Sequence, residues 1–457
     1  MRAKYDLVVI GGGAAGFSAV TVAAERGANT LLISKGPLGG TCVNFGCVPT
    51  KRLLSTLAIS KKSGRKYTLP DLIKDAMDLS SELREEKYES LLQSLGVEYV
   101  RGSAKFVSKG VIEVDGLQVE YDKAIIAVGA KPWRPPIPGI DRAEDRIIDN
   151  EKLFSETYNP SKIVVIGGRA QGLEIAQIMA RSGVETVLIQ RSRRLLPEEE
   201  PEAGIYAEQV LRDDGVIVQT GAKIEGVKAN TNSVRVLFST TNSIEVEEAD
   251  YIYLATGRRP RLDGMGLERI GVRVSRRGFI LVDEYLRASD NVYAAGDCIG
   301  PPMLEPVAAK EGYIAALNAL EKEPRHKMDY TVVPRAVFID PEFASVGITE
   351  RELARRLGVC ACRTVHLSEL PKARILGYDK GFFKIVVNPR DKRIVGVHMM
   401  APGAAEAIHE AAMALKAGLT VDDIIDTIHV FPTISEGIKY AALAFYRDVS
   451  KMPCCLI

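Results

Sequence analysis

The chain has 457 residues, and at roughly 150 residues per domain that length implies about three domains and excludes a small single module. An apolar fraction of 46% and a charged fraction of 26% are ordinary for a globular protein. With 60 basic against 59 acidic residues the net charge is +1, which argues against a broad nucleic-acid or membrane-surface footprint. No apolar run approaches the roughly 18 residues of a spanning helix. The opening MRAKYDLVVIGGG enters a strand at once and lacks a cleavage-site pattern, so a cytoplasmic chain is expected, with neither nucleic acid nor membrane as partner.

Leu7-Val8-Val9-Ile10 is a short apolar run of the kind buried on both faces in a parallel sheet. Gly11-Gly12-Gly13-Ala14-Ala15-Gly16 follows, then a helix rich in small residues, and then a second strand at Thr30-Leu31-Leu32-Ile33. The spacing is that of a dinucleotide cradle. Gly11 permits the turn, Gly13 lets the backbone approach a pyrophosphate, Gly16 allows close helix–strand packing, and the helix N-terminus faces the phosphates. Ser34 stands where an acidic residue usually bonds a ribose hydroxyl, so a weaker contact is expected there.

Residues 69–95 read as a long surface helix, 111–119 as a strand pair, and 124–129 as a buried strand. The prolines at 132, 135, 136 and 138 mark a boundary. A second cradle then repeats the first, with a strand at Ile163–Ile166, the turn Gly167-Gly168-Arg169-Ala170-Gln171-Gly172, a helix from Leu173 to Arg181, and a strand at Thr186–Ile189. Arg169 occupies the place of the middle glycine. After the strand come Gln190, Arg191, Arg193 and Arg194 in place of a carboxylate; guanidinium groups bind a 2′-phosphate that a carboxylate would repel, so NADPH is expected, with Arg191 as a contact. Val292–Asp297 is a later strand ending in an acidic residue, and from about Tyr330 antiparallel-looking strands and helices suggest a third domain. The expected fold is α/β: two Rossmann-like dinucleotide-binding domains plus an α+β C-terminal domain. The expected division is 1–150 and 271–328 for the first nucleotide domain, 151–270 for the NADPH domain and 329–457 for the third.

The seven cysteines are too few and too unevenly placed for a disulfide framework. Cys42 and Cys47 lie in GGTCVNFGCVPTK directly after the first cradle, and Pro49 suits the first turn of a helix, which puts Cys47 near a helix N-terminus where a thiol pKa falls. No histidine is close enough in sequence to complete a metal site. Cys298 reads as a buried small apolar residue, and Cys360 and Cys362 match no site.

At these residues the chain resembles the flavin-dependent pyridine nucleotide–disulfide oxidoreductases, which include glutathione reductase, dihydrolipoamide dehydrogenase and mercuric reductase. The likeness extends over both glycine motifs, GGTCVNFGCVPTK, Glu174, Ala255-Thr256-Gly257-Arg258, the AAGD ending at Asp297, and Phe431-Pro432-Thr433-Ile434-Ser435-Glu436. It implies an FAD domain over 1–150 and 271–328 and a C-terminal dimerisation domain over 329–457, with FAD on Gly11, Gly13, Gly16, Ser34, Thr41 and Lys51, Asp297 on the ribityl chain, and NADPH on Gly167, Gly172, Arg191 and Gly257. It implies Lys51 near the flavin and paired with Glu174, Cys47 against the flavin, and Cys42 meeting substrate. In the disulfide-reducing branches a histidine precedes the Pro-Thr pair and moves the thiol proton. Here that position is Phe431, and His429 lies two residues earlier. Proton transfer typically contributes about 10²–10⁴-fold, so a disulfide would be reduced poorly. The ending, Cys454-Cys455, resembles that of the mercuric reductases, whose terminal pair collects Hg(II) as a thiolate complex and passes it to the redox pair of the other subunit of a homodimer. Handing a soft ion from sulfur to sulfur needs no proton shuttle. The expected activity is therefore Hg(II) reduction, with Cys42, Cys47, Cys454 and Cys455 as metal ligands. A thiol–disulfide reductase is the alternative. Tyr440 is a candidate hydroxyl near the transferred ion.

Overall fold

The computed structural model describes residues 2–452 apart from 242 and 360; Cys360, Cys454 and Cys455 therefore lie outside the described residues. The strand Lys4–Ile10 runs parallel between Thr30–Ser34 and Leu117–Ile126, which is why Leu7, Val8 and Val9 carry no polar partner and are fully buried. Glu98–Arg101 extends one side of this sheet, and Val292–Ala294 with Arg287–Ser289 extends the other. The hairpin Ala104–Ser108/Val111–Val114 leans on Leu117–Ile126. Helix Ala14–Glu25 crosses helix Glu305–Leu320 so tightly that a Cβ on Gly312 would lie 1.9 Å from the Ala15 carbonyl oxygen.

The second sheet is parallel, in the order Ile217–Thr220, Glu185–Gln190, Lys162–Ile166, Tyr251–Leu254, Ile147–Ile148. A three-stranded antiparallel meander over residues 223–249 is attached to it. The chain leaves and re-enters the first unit through paired strands, Ala130–Pro132 against Arg258–Pro260. Two expected boundaries move as a result. Ile147 and Ile148 already pair in the second sheet, while Leu262, Met265, Leu267 and Ile270 pack with Phe106 and Ile112 in the first unit. The stretch 258–270 thus belongs with the first unit, because its apolar side chains have their partners there.

The third unit is an antiparallel sheet ordered Arg335–Val337, Glu342–Gly347, Ile394–Ala401, Phe382–Val387, Cys362–His366, with helices Ala404–Ala417 and Glu436–Leu443 packed on it. It meets the second unit through charge. Lys384 Nζ, 3% exposed, donates to Glu200 Oε2 at 2.8 Å, Glu350 Oε2 at 2.7 Å and Glu202 Oε1 at 3.1 Å. Beside it Arg335 grips Glu199 with two bonds of 2.6 and 2.8 Å. A buried cation among carboxylates is favourable only while every partner is present. Lys384→Met should therefore lower the unfolding free energy by about 3–5 kcal/mol, read from denaturant melts. A loss below about 1 kcal/mol, the range of exposed pairs, would show that this cluster does not hold the units together.

Candidate active site

Cys42 sits in the short helix Gly40–Phe45, and Cys47 opens the helix Cys47–Ser63, with Gly46 between them as its N-cap. Both are free thiols in the structure. No side chain caps the N-terminus beginning at Cys47, so its unpaired amide groups favour a negative charge there. The two thiols act on one another and titrate unequally. Its neighbour Cys42 holds Cys47 below the ordinary thiol range, and Lys51 acts in the same direction, against burial. Cys42 moves up, first through its interaction with Cys47 and then through burial. The first negative charge therefore resides on Cys47.

Lys51 lies one helical turn beyond Cys47, on the same face. Its Nζ donates to Glu174 Oε2 at 2.8 Å and stands 4.6 Å from the centre of the Phe338 ring. Burial alone would lower the Lys51 pKa, but Glu174 and the Cys47 thiol outweigh it, so the ammonium form persists. Glu174, buried in the helix Ala170–Arg181, also accepts from the Phe338 backbone N–H at 2.9 Å. One carboxylate of the second unit thus ties the lysine of the first unit to the backbone of the third. Asn150 adds a second tie, its Nδ2 donating to the Phe45 carbonyl at 2.9 Å.

The first cradle is a strand, a glycine turn and a helix N-terminus. Gly11 has φ +117°, and its Cβ would meet the Ala127 carbonyl oxygen at 2.2 Å; at Gly16 a Cβ would lie 1.7 Å from the Gly11 oxygen. Those two glycines are demanded by the chain's own packing. Gly13 is not: its φ is −83°, and its nearest Cβ contact would be an ordinary 3.7 Å. A missing side chain at Gly13 fits a group approaching from the cleft of about 500 Å³ that Gly11, Gly12, Gly13, Ser34, Gly40 and Thr41 line. The helix N-terminus at Ala14 has no side-chain cap to block that approach. Further along, Arg258 reaches Thr41 Oγ1 at 3.4 Å and Asp297 at 3.7 Å, and its buried Nε has no hydrogen-bond partner. An orphaned donor beside the Asp297 carboxylate suits a polar chain such as the ribityl of FAD. Ser34 is buried and donates to the Gly36 carbonyl at 3.0 Å, so its proton serves the loop first.

In the second cradle Gly167 and Gly172 repeat the first pair, with Cβ clashes at 2.3 and 1.7 Å. Gln190 takes the place of the ribose carboxylate and instead accepts from the Gly168 N–H at 3.2 Å. Arg169 pairs with Glu198. Arg191 and Arg193 are exposed at the strand end, whereas Arg194 donates to the carbonyls of Pro197 and Glu199 at 3.0 and 2.9 Å and is used by the fold.

The C-terminal segment lies on the third unit. Phe431 is 47% exposed. Both nitrogens of His429 are engaged, Nε2 with Glu410 at 2.9 Å and Nδ1 with the Thr427 carbonyl at 3.0 Å, and the Glu410 bond raises its pKa. Tyr440 is buried in the core of the third unit with Phe383 and Val397. Cys298 is buried, bonded to the Ile126 and Ala295 carbonyls at 3.3 and 3.2 Å, and burial pushes its thiol up to about 12, in keeping with its reading as a packing residue. Arg258, Asn150 and Phe338 carried no site signal in sequence beyond the Arg258 motif. Among the described residues no cluster of three or more His, Cys, Asp or Glu side chains is arranged to hold a metal ion, and no helix is long and apolar enough to cross a membrane.

Residues 5–312 match the family model described as pyridine nucleotide-disulphide oxidoreductase, and residues 333–442 match that family's dimerisation domain. The chain belongs to this family, whose members use FAD and a pyridine nucleotide. A mercuric reductase of Bacillus cereus is 35% identical over 99% of this chain and 73% of its own length. A dihydrolipoyl dehydrogenase of Thermus scotoductus is 36% identical over 97% of this chain and 98% of its own. Among solved structures, the Cu(II) complex of the HOCl-induced flavoprotein disulfide reductase RclA from Escherichia coli superposes with a TM-score of 0.85 at 28% identity, covering 95% of this chain and 98% of that one.

Because Lys51 is a cation acting on Cys47 across one helical turn, Lys51→Met should raise the pH midpoint of Cys47 alkylation by iodoacetamide. A rise of one pH unit, about tenfold in thiolate at neutral pH, is the expected size. An unchanged midpoint would remove Lys51 from the electrostatics of the pair.

Proposed function

We propose that the protein is a homodimeric, cytoplasmic, NADPH-dependent mercury(II) reductase. Bound FAD supplies a two-electron carrier between the nicotinamide and the sulfurs. The chain's own groups do the rest. Gly13 and the amides at the start of helix Ala14–Glu25 hold the pyrophosphate, and Asp297 with Arg258 orients the ribityl chain. Gly167 and Gly172 let the turn of the second cradle close, Gly257 leaves room for the second nucleotide, and Arg191 with Arg193 meets its 2′-phosphate. Lys51 keeps Cys47 as a thiolate, and Cys42 offers the sulfur that faces substrate. The dithiol then takes Hg(II) from a thiolate complex by exchange of sulfur ligands, with Cys454 and Cys455 of the partner subunit as the donors. Overall, one NADPH, one proton and one mercury(II) bis-thiolate give NADP⁺, elemental mercury and two thiols.

The observation that carries this reading is the proton economy of the C-terminal segment. A phenyl ring stands where a disulfide reductase needs an acid/base, and His429 is committed to Glu410 and Thr427. Thiol–disulfide exchange suffers from that loss; ligand exchange at a soft ion does not. The mercuric reductase relatives point the same way. A second reading, a thiol–disulfide reductase, is favoured by the dihydrolipoyl dehydrogenase relative and by the disulfide reductase neighbour.

HgCl₂ in excess thiol should accelerate NADPH oxidation and release volatile mercury, with oxidised lipoamide and glutathione far slower and NADH a poorer donor. Turnover of a disulfide without turnover of mercury would establish the second reading. Replacing Cys454 and Cys455 together by alanine should collapse mercury turnover, by about tenfold or more, while NADPH still bleaches the flavin; unchanged mercury turnover would remove the tail from the mechanism.

A further inference from the structure

Besides the Asn150 bond to Phe45, the loop between the two cysteines is held from within by Asn44. Asn44 is buried, and its Nδ2 donates to the Leu38 and Gly40 carbonyls, both at 2.8 Å. Its Oδ1 accepts from Arg84 Nη1, also at 2.8 Å. Leu38 and Gly40 precede Cys42 and line the approach to the first cradle, so the amide fixes the peptide from which the thiol pair projects. Arg84 lies far away in sequence, at the end of the helix Leu69–Arg84. There the chain takes one π-helical turn, Glu85–Glu89. Such turns insert an extra residue and re-aim the side chains around them, and they are concentrated at functional positions. This one directs Arg84 at the loop on one side and Tyr88 onto Phe17 of the nucleotide helix on the other, with ring centres 4.8 Å apart.

The Arg84 guanidinium is fixed in turn by Ser81 Oγ at 3.2 Å and the Glu89 carboxylate at 3.5 Å. It also forms part of the wall of a cavity of about 710 Å³ with Leu38, Phe45, Tyr99 and Arg101. A charged donor on an amide oxygen polarises the amide and strengthens its two N–H bonds, and charge-assisted bonds are roughly twice as strong as neutral ones. These bonds are those of the dithiol form, since both cysteines are free thiols here. Closing a disulfide brings the sulfurs to roughly 2.05 Å, so the Cys42–Cys47 loop must tighten when the pair is oxidised. Whatever holds the open loop favours the dithiol.

We propose that Arg84 is a positioning residue which, through Asn44, biases the Cys42–Cys47 pair toward its dithiol form and so sets the pair's reduction potential. The proposal rests on the reading of Cys42 and Cys47 as a redox pair.

The test is equilibration of the FAD-loaded protein in glutathione redox buffers, with the fraction of dithiol counted by alkylation and peptide mapping. Arg84→Met should shift the equilibrium about tenfold toward the disulfide, which corresponds to about 30 mV. Arg84→Lys, which keeps a charged donor, should recover most of that shift. Asn44→Leu, which removes the amide without adding a charge, should shift it alone, and adding Arg84→Met should shift it little further. A purely structural role would lower thermal stability in Arg84→Met and leave the equilibrium within twofold of the wild type, and that result overturns the proposal. Should Arg84→Met not fold, Arg84→Gln, a neutral donor of similar reach, decides by the same comparison. A wild-type pair that never interconverts in these buffers would instead overturn the redox-pair reading, and this proposal with it.

Discussion

The ion pair between Lys51 and Glu174 is the constraint on which the site depends. It is short, at 2.8 Å, and one end is buried. Glu174 belongs to the second nucleotide unit, Lys51 to the helix that starts with Cys47, and Phe338, bonded to the same carboxylate, to the third unit. No single unit could hold a charged lysine beside a thiolate at low cost. The ammonium needs Glu174, and Glu174 needs both the ammonium and the Phe338 amide to be tolerable out of water. The electrostatics of Cys47 are therefore a property of the assembled chain.

The other ties between units serve that arrangement. Lys384 and Arg335 anchor the third sheet to the helix start at Glu199–Glu202, and Asn150 holds the Phe45 carbonyl inside the cysteine loop. Arg258 joins Thr41, just before Cys42, to Asp297 at the far end of the first sheet. Around the thiols the same economy recurs: a carboxylate, amide or guanidinium from one unit satisfies backbone or charge in another. At the surface of the third unit, Ile428 and Val430 are 94% and 76% exposed beside Phe431. This apolar strip lies within the stretch matching the family's dimerisation domain, where a second copy would cover it.

Much of this was legible in the sequence, for a physical reason. Gly11, Gly16, Gly167 and Gly172 occupy positions where backbone approach admits only glycine, so the residue type itself reports the geometry. Cys42, Cys47 and Pro49 announce a helix start the same way. What sequence could not carry were contacts between distant segments. The strand Arg258–Pro260 is too short to show a period, so the return to the first unit was placed too late. Periodicity gives the face of a helix without saying which way it turns, so the burial of Tyr440 in the core of the third unit left no signal. Arg84 carries no signal in the sequence, since neither the π-turn after it nor its bond to Asn44 leaves a local signature.

The claim beneath all of this is that electrons from the nucleotide end on Cys42 and Cys47, with Cys47 as the thiolate held by Lys51. Anaerobic alkylation of the air-oxidised FAD-loaded protein before and after one equivalent of NADPH, with the modified cysteines assigned by peptide mapping, tests it most directly. The account predicts that Cys42 and Cys47 are unreactive before reduction and alkylated after it, while buried Cys298 changes in neither state. Labelling of Cys42 and Cys47 that is the same with and without NADPH would contradict it.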